Sequence, residues 1–183
     1  MLHYLGERPL RHRGGWEKGM SLASIFKQTD IFYDLTSAQL ELIQSLCQER
    51  RCNVGDLIFE ENTASDELYV IVQGEVDIQV DPSLVGDANV RATEPVTIAT
   101  LRRGQSFGEI ALVDQGLRSA TARCAANNTL LLVIPRDKLI SLCDTHPQLG
   151  YRLMRNLAAD LALKIRSTDL RIREELLYGD RRR

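Results

Sequence analysis

Between Gly104 and Ala122 the chain reads GQSFGEIALVDQGLRSATA, the stretch richest in residues that could do chemistry together. Gly104-Gln105-Ser106-Phe107-Gly108 offers a tight turn, and Glu109-Ile110-Ala111-Leu112 behind it holds good helix formers, enough for one or two turns. Unpaired amides and the positive end of the dipole at such a helix start favour a bound anion, most commonly phosphate. Arg118 follows a second turn at Asp114-Gln115-Gly116, and a returning strand, Ser119-Ala120-Thr121-Ala122, would carry it back toward the same amides. Its guanidinium can make paired hydrogen bonds to phosphate oxygens, with the Ser119 hydroxyl as a further contact. Glu109 would repel an anion in this place, so it is useful there only if it meets a hydroxyl donor such as a ribose. A salt bridge between Arg118 and Glu109 across a surface turn is the plainer alternative. The ordered combination of Gly-Glu, a small residue and Arg-Ser weighs against it.

FGEIAL followed by RSATA resembles the phosphate-binding cassette of cyclic nucleotide-binding domains, the family that includes the bacterial catabolite activator proteins and the regulatory subunits of cAMP-dependent kinase. The resemblance covers about Phe26 to Ile165. It implies that Arg118 pairs with the cyclic phosphate and that Glu109 accepts from the ribose 2′-hydroxyl. The amides of Gly108, Ile110 and Ala111, with Ser119, would complete the contacts. The base needs an apolar floor beside the phosphate, for which Val70, Val72, Leu112, Val113 and Ala120 are the candidates, with core packing as the alternative for each. Ser119 after the arginine resembles the bacterial cAMP receptors, whereas kinase-type cAMP sites carry Ala and cGMP sites Thr, so cAMP is the expected ligand and cGMP the alternative. The adenine-reading hydroxyl of the catabolite activators would fall near Lys164, and that contact is missing here.

The elements that must position this stretch differ before and after Arg51. Residues 1–20 hold many charges and little periodicity and read as a flexible arm. From Ser21 to Cys47, Leu22, Ile25, Phe26, Ile31, Phe32, Leu35, Leu40, Ile43 and Leu46 recur at helical intervals, and Thr36 with Gln39 forms a capping-box start for the second of two short helices. Beyond Arg51 come short runs bounded by turn residues: 57–59, 67–72, 76–80, 96–101 and 129–134. Residues 81–95 read as a long hairpin loop. Many short strands with turns between them predict a sandwich or barrel; the family resemblance implies an antiparallel β jelly roll with N-terminal helices and a long C-terminal helix. The domain proper then spans 21–146, with the cassette at 104–122.

A short helix is predicted from Arg136 to Cys143, and a long one, 147–178, follows Pro147. Leu149, Leu153, Leu157, Leu161, Ile165, Thr168, Ile172 and Leu176 form one stripe along it. A helix of that length outreaches a single small domain. In catabolite-activator-like proteins the equivalent helix lids the nucleotide and pairs with its copy, so the resemblance implies a homodimer through this helix. Residues 179–183 read as a basic tail.

A length of 183 residues, of which 44% are hydrophobic, suits one domain with a helical appendage. A net charge of −2 gives no electrostatic footprint for nucleic acid, and no residues remain after the long helix for a helix-turn-helix, so direct DNA binding is not expected. Cys47, Cys52, Cys124 and Cys143 lie far apart without metal-ligand spacing, which excludes a zinc or iron–sulfur motif. With no signal-peptide pattern and no membrane-length apolar run, the expectation is a cytoplasmic protein, not bound to membrane, whose thiols are reduced. No catalytic constellation or metal site is read: His3, His12 and His146 all lie far from Arg118 in sequence. The expected function is a stand-alone cyclic nucleotide sensor, not an enzyme, acting on an effector protein through its C-terminal helix. The alternative is the sensor half of a catabolite activator-type regulator.

Overall fold

A computed structural model describes residues 22–82, 94–114 and 116–178. The arm predicted at 1–20, the tail at 179–183 and most of the loop predicted at 81–95 lie outside the described residues.

Helix α1, Leu22–Gln28, leads through a single 3-10 turn at Asp30–Phe32 into α2, Ser37–Leu46. The capping box that starts α2 is present: the Gln39 amide donates to Thr36 Oγ1 at 3.3 Å, and the Thr36 amide donates to Gln39 Oε1 at 2.9 Å. Among the described residues eight strands follow: β1 Gln48–Cys52, β2 Leu57–Phe59, β3 Glu67–Gln73, β4 Glu75–Val80, β5 Val96–Arg102, β6 Ser106–Phe107, β7 Thr121–Cys124 and β8 Thr129–Pro135. They form two four-stranded sheets, ordered β1-β8-β3-β6 and β2-β7-β4-β5, with every pairing antiparallel. This is the antiparallel jelly roll that the family resemblance implies, and a sandwich as the strand pattern predicts. Several boundaries differ, among them three in the strand region. β1 begins at Gln48, ahead of the predicted strand region; β6 lies within the predicted turn; and β7 starts at Thr121, so Ser119 and Ala120 precede it. A strand of two residues such as β6 is too short to show a period.

The first sheet is covered on both faces, which explains why β3 and β8 read as nearly unbroken apolar runs. Leu68, Val70 and Val72 of β3, with Leu130, Leu132 and Ile134 of β8, face a core shared with Ile25, Phe26, Phe32, Leu40 and Ile43. Tyr69 and Ile71, with Leu131 and Val133, point the other way, into the space between the sheets, where they meet Ile58, Val76, Phe107 and Ala122. The helix-side core is completed by α4, Arg136–Thr145, through Leu139 and Cys143, and by α5, Pro147–Tyr178, through Leu149, Leu153 and Leu157.

Helix α5 has the bounds read from sequence, but its stripe divides. Leu157 is 1% exposed and Leu161 partly buried, whereas Ile165 is 62% exposed and Ile172 and Leu176 are exposed as well. The first half is clamped to the segment that follows the 3-10 turn. There Arg152 Nη1 lies 2.6 Å from Asp34 Oδ2, and Asn156 Nδ2 donates to the carbonyl of Tyr33 at 2.6 Å.

The cysteines require a correction. Cys47 and Cys143 are buried thiols, with burial pushing Cys47 up to about 12, but Cys52 and Cys124 are joined in a disulfide with Cα atoms 6.5 Å apart. These two are 72 residues apart in sequence. Their closeness comes from the sandwich, which sets the end of β1 in one sheet against the end of β7 in the other, and no local spacing signals it.

Candidate functional site

The cassette folds as strand, turn, short helix, turn and strand. After β6, Gly108 adopts φ +77°, a conformation that side chains other than glycine's disfavour, and Glu109 caps a one-turn helix α3, Ile110–Val113. A Cβ at Gly108 would stand 2.6 Å from Arg118 Nη1 and 3.0 Å from the Glu67 carbonyl oxygen. Glycine is therefore required twice, by the turn and by the close approach of the arginine. The Arg118 backbone is held from the other side by the β2–β3 connection: its amide donates to the Thr63 carbonyl at 2.9 Å, and its carbonyl accepts from the Asn62 amide at 2.9 Å.

Arg118 is 5% exposed, yet its guanidinium is poorly used by the protein. Nε has no hydrogen-bond partner among the described residues, and Nη1 reaches the Gly108 carbonyl only at 3.5 Å. The group lies on an aromatic floor instead, with Cζ 4.1 Å from the Phe59 ring centroid and 5.6 Å from that of Tyr69. Phe107 stacks on Tyr69 at 5.0 Å and lies 5.9 Å from Phe59, so β2, β3 and β6 each give one ring. The Tyr69 hydroxyl donates to Glu67 Oε2. Burial is the main influence on the Arg118 charge and lowers its pKa; Tyr69, Glu67, Asp66 and Glu109 act the opposite way.

Glu109 is also 5% exposed. Its ion-pair partner is Lys164 of α5, with Nζ 2.7 Å from Oε1, and the same ammonium lies 2.8 Å from Asp160 Oδ2. The Asp160 contact is close enough for an ion pair but is not aligned as a hydrogen bond. Burial pulls the Lys164 pKa down, but the Coulombic pull of Glu109, its hydrogen bonds and the charge of Asp160 outweigh it, and the pKa stands above the ordinary 10.5. The surface salt bridge between Arg118 and Glu109 that the sequence left open is thus replaced by two buried charges, one of them paired with a helix from elsewhere in the chain.

The remaining sequence candidates separate. Gly108, Glu109 and Arg118 come together; Ile110 lies on the exposed side of α3, the backbone of Ala111 belongs to α3, and Ser119 is exposed beside Arg118. Ala120 is buried and Val113 is 57% exposed. Val70, Val72 and Leu112 belong to the helix-side core, so the two valines lie on the face of β3 opposite Tyr69 and Arg118, and the floor role expected of them is corrected to core packing. Sequence reasoning missed Phe59, Tyr69 and Phe107. A lone tyrosine within the aliphatic run 67–72 was the available signal, since a buried phenol needs a hydrogen-bond partner.

Chemically, the arrangement offers a buried cation with unfilled donors, and a buried carboxylate next to it in sequence space and in the fold. Among the described residues no group of three or more His, Cys, Asp or Glu could hold a metal ion, and no helix is long and apolar enough to cross a membrane.

The profile of a family described as "Cyclic nucleotide-binding domain" matches residues 49–146. The chain is 32% identical over 146 residues to the "Cyclic AMP receptor protein" of Thermus thermophilus, an alignment covering 80% of this chain and 62% of that protein. Among solved structures, the Thermus thermophilus catabolite activator protein superimposes with a TM-score of 0.65 at 30% identity, over 81% of this chain and 63% of that one. A cyclic nucleotide-binding domain from Methylobacillus flagellatus gives a TM-score of 0.70 at 25% identity, over 84% of this chain and 82% of that one. In both Thermus thermophilus comparisons the chain therefore spans less than two thirds of the relative's length.

Proposed function

The chain belongs to the cyclic nucleotide-binding domain family, and on that footing we propose that it is a regulatory sensor without catalytic activity, with cAMP as its ligand. The observation that carries this reading is Arg118: a buried guanidinium on an aromatic floor whose Nε finds no partner among the described residues. Buried polar groups are rarely left unpaired, and a cation with open donors suits a phosphate. In the proposed pose Arg118 takes the cyclic phosphate with Ser119 and the amides of Gly108, Ile110 and Ala111, while Glu109 accepts from the ribose 2′-hydroxyl. The name of the Thermus thermophilus relative favours cAMP over cGMP.

Calorimetric titration with cAMP and cGMP tests the reading. Saturable binding of cAMP, weakened in Arg118→Ala by about 2–5 kcal/mol, roughly 30-fold to several thousand-fold, is the expected result. If Arg118 only braces the turn, Arg118→Ala will lower the melting temperature and leave nucleotide affinity where it was, and the site assignment falls. AMP appearing in chromatograms after incubation with cAMP would overturn the non-catalytic part.

Ligand binding is proposed to reposition α5, which an effector protein reads, by shifting a population between two helix arrangements. Protection of residues 147–178 from hydrogen exchange by saturating cAMP is expected; unchanged exchange there refutes it. The exposed apolar residues Ile165, Ile172 and Leu176 support a homodimer through α5. We place the protein in the cytoplasm, which cell fractionation checks. A second reading, the sensor half of a DNA-binding regulator, is favoured by the 62% share of the Thermus receptor that the chain spans. The mass of the polypeptide isolated from its source decides: about 20.6 kDa supports the stand-alone sensor and a larger mass the second reading.

A further inference from the structure

Lys164 lies where α5 leaves the core, between partly buried Leu161 and exposed Ile165. Its ammonium reaches into the cassette, 2.7 Å from Glu109 Oε1. The Glu109 side chain is 7% exposed, so this contact gives a buried carboxylate its counter-charge from a residue 55 positions away. Without that ammonium, the buried Glu109 side chain would lose the partner that holds it in place beside the site. The ammonium meets Oε1, and the second oxygen, Oε2, takes no part in that contact. A carboxylate held at one oxygen has a fixed plane and keeps acceptor capacity at the other.

Resting on the cyclic nucleotide reading, we infer that Lys164 is a specificity-determining residue: it holds the Glu109 carboxylate oriented as the acceptor for a ribose 2′-hydroxyl, and so sets the preference for ribo- over 2′-deoxyribonucleotides. Asp160, 2.8 Å from the same ammonium, fixes the lysine on its own helix. The preference is thereby carried by α5 rather than by the cassette alone. A helix displaced from Glu109 would bind the phosphate but read the sugar poorly.

Calorimetric titration of the whole chain with cAMP and with 2′-deoxy-cAMP tests this, alongside Lys164→Met, Lys164→Gln and Lys164→Arg, with thermal unfolding to show that each variant folds. The unaltered chain should prefer cAMP by about tenfold or more, the size expected for a hydrogen bond to a charged acceptor. Lys164→Met should lose most of that preference by weakening cAMP while leaving the deoxy nucleotide nearly unchanged. Lys164→Gln, which keeps a polar head group but is one bond shorter and carries no charge, should behave the same way, and Lys164→Arg should retain the preference. Equal weakening of both nucleotides would mean that Lys164 serves the phosphate or the fold, and would overturn the inference, as would an unaltered preference in Lys164→Met and Lys164→Gln. Those outcomes leave the cyclic nucleotide reading standing. If the unaltered chain binds neither cAMP nor cGMP, the reading itself fails and the inference fails with it.

Discussion

A guanidinium removed from water with a donor unfilled is destabilising unless something else offsets it, and at Arg118 the aromatic rings of Phe59 and Tyr69 do so in part. Gly108 makes this position reachable. Gly108→Ala should cost on the order of 1–3 kcal/mol of stability through its positive φ and should also weaken cAMP binding, because the new Cβ would meet Arg118 Nη1 at 2.6 Å; thermal unfolding and calorimetry on the one variant measure both. Lys164 gives a second expectation. Its folded pKa stands above the ordinary 10.5, so the stability it contributes is fully present at neutral pH and is lost only as pH rises through the raised value. Unfolding series of the unaltered chain and Lys164→Met should therefore run parallel at neutral pH and converge in strong alkali. At this scale the sequence was legible where the chemistry is local. Gly108, Glu109 and Arg118 lie within one turn-helix-turn segment, and their spacing declares them. Phe59, Tyr69 and Phe107 come from three strands, and only register brings them under one guanidinium. The register also turned Val70 and Val72 away, since β3 is buried on both faces and its apolar run hides which residues face which way.

Among the elements, α5 carries two environments on one stripe. Leu157→Ala should cost about 2–5 kcal/mol by leaving a cavity in the helix-side core. Ile165→Ala should change the stability of a monomer by no more than about 0.5 kcal/mol, because the residue is 62% exposed. If the distal half pairs with a second copy, the Ile165 variant will instead melt at a temperature that falls on dilution. Replacing Leu161 and Ile165 with Arg should then give a monomer in light scattering that still binds nucleotide. A monomeric unaltered chain at tens of micromolar would end the dimer proposal. Periodicity predicted both bounds of this helix, through Pro147 at its start and the spacing of its leucines, but it could not show where burial stops. That depends on the 3-10 turn at Asp30–Phe32 and the two residues after it, where Ile31, Tyr33 and Asp34 hold Asn156 and Arg152 of the first half.

For the molecule as a whole, the Cys52–Cys124 bond ties one sheet to the other. Alkylation under denaturing, non-reducing conditions should modify two cysteines, Cys47 and Cys143, and all four after reduction; four adducts without reductant would show that the bond does not form in solution. Its loss should destabilise the fold by about 2–4 kcal/mol. That the strands form a sandwich or barrel was readable because short runs, turn residues and helical stripes agree, whereas the jelly-roll topology came from the family resemblance. The bond was not readable, because two ends in different sheets meet only once both sheets exist. The division of α5 has a mechanical meaning. From Leu157, the last fully buried leucine of the stripe, to Tyr178 is an arm of about 31 Å at the helical rise. A tilt of about 10°, modest for a rigid-body rearrangement, would swing its tip by about 5 Å. Lys164 sits a third of the way along this arm, while Arg171, two thirds of the way along, donates to the carbonyl of Ile98 on β5. If ligand binding moves α5 as proposed, a displacement at Glu109 would act on a lever with a catch, because the Arg171 bond to Ile98 ties the outer arm to β5.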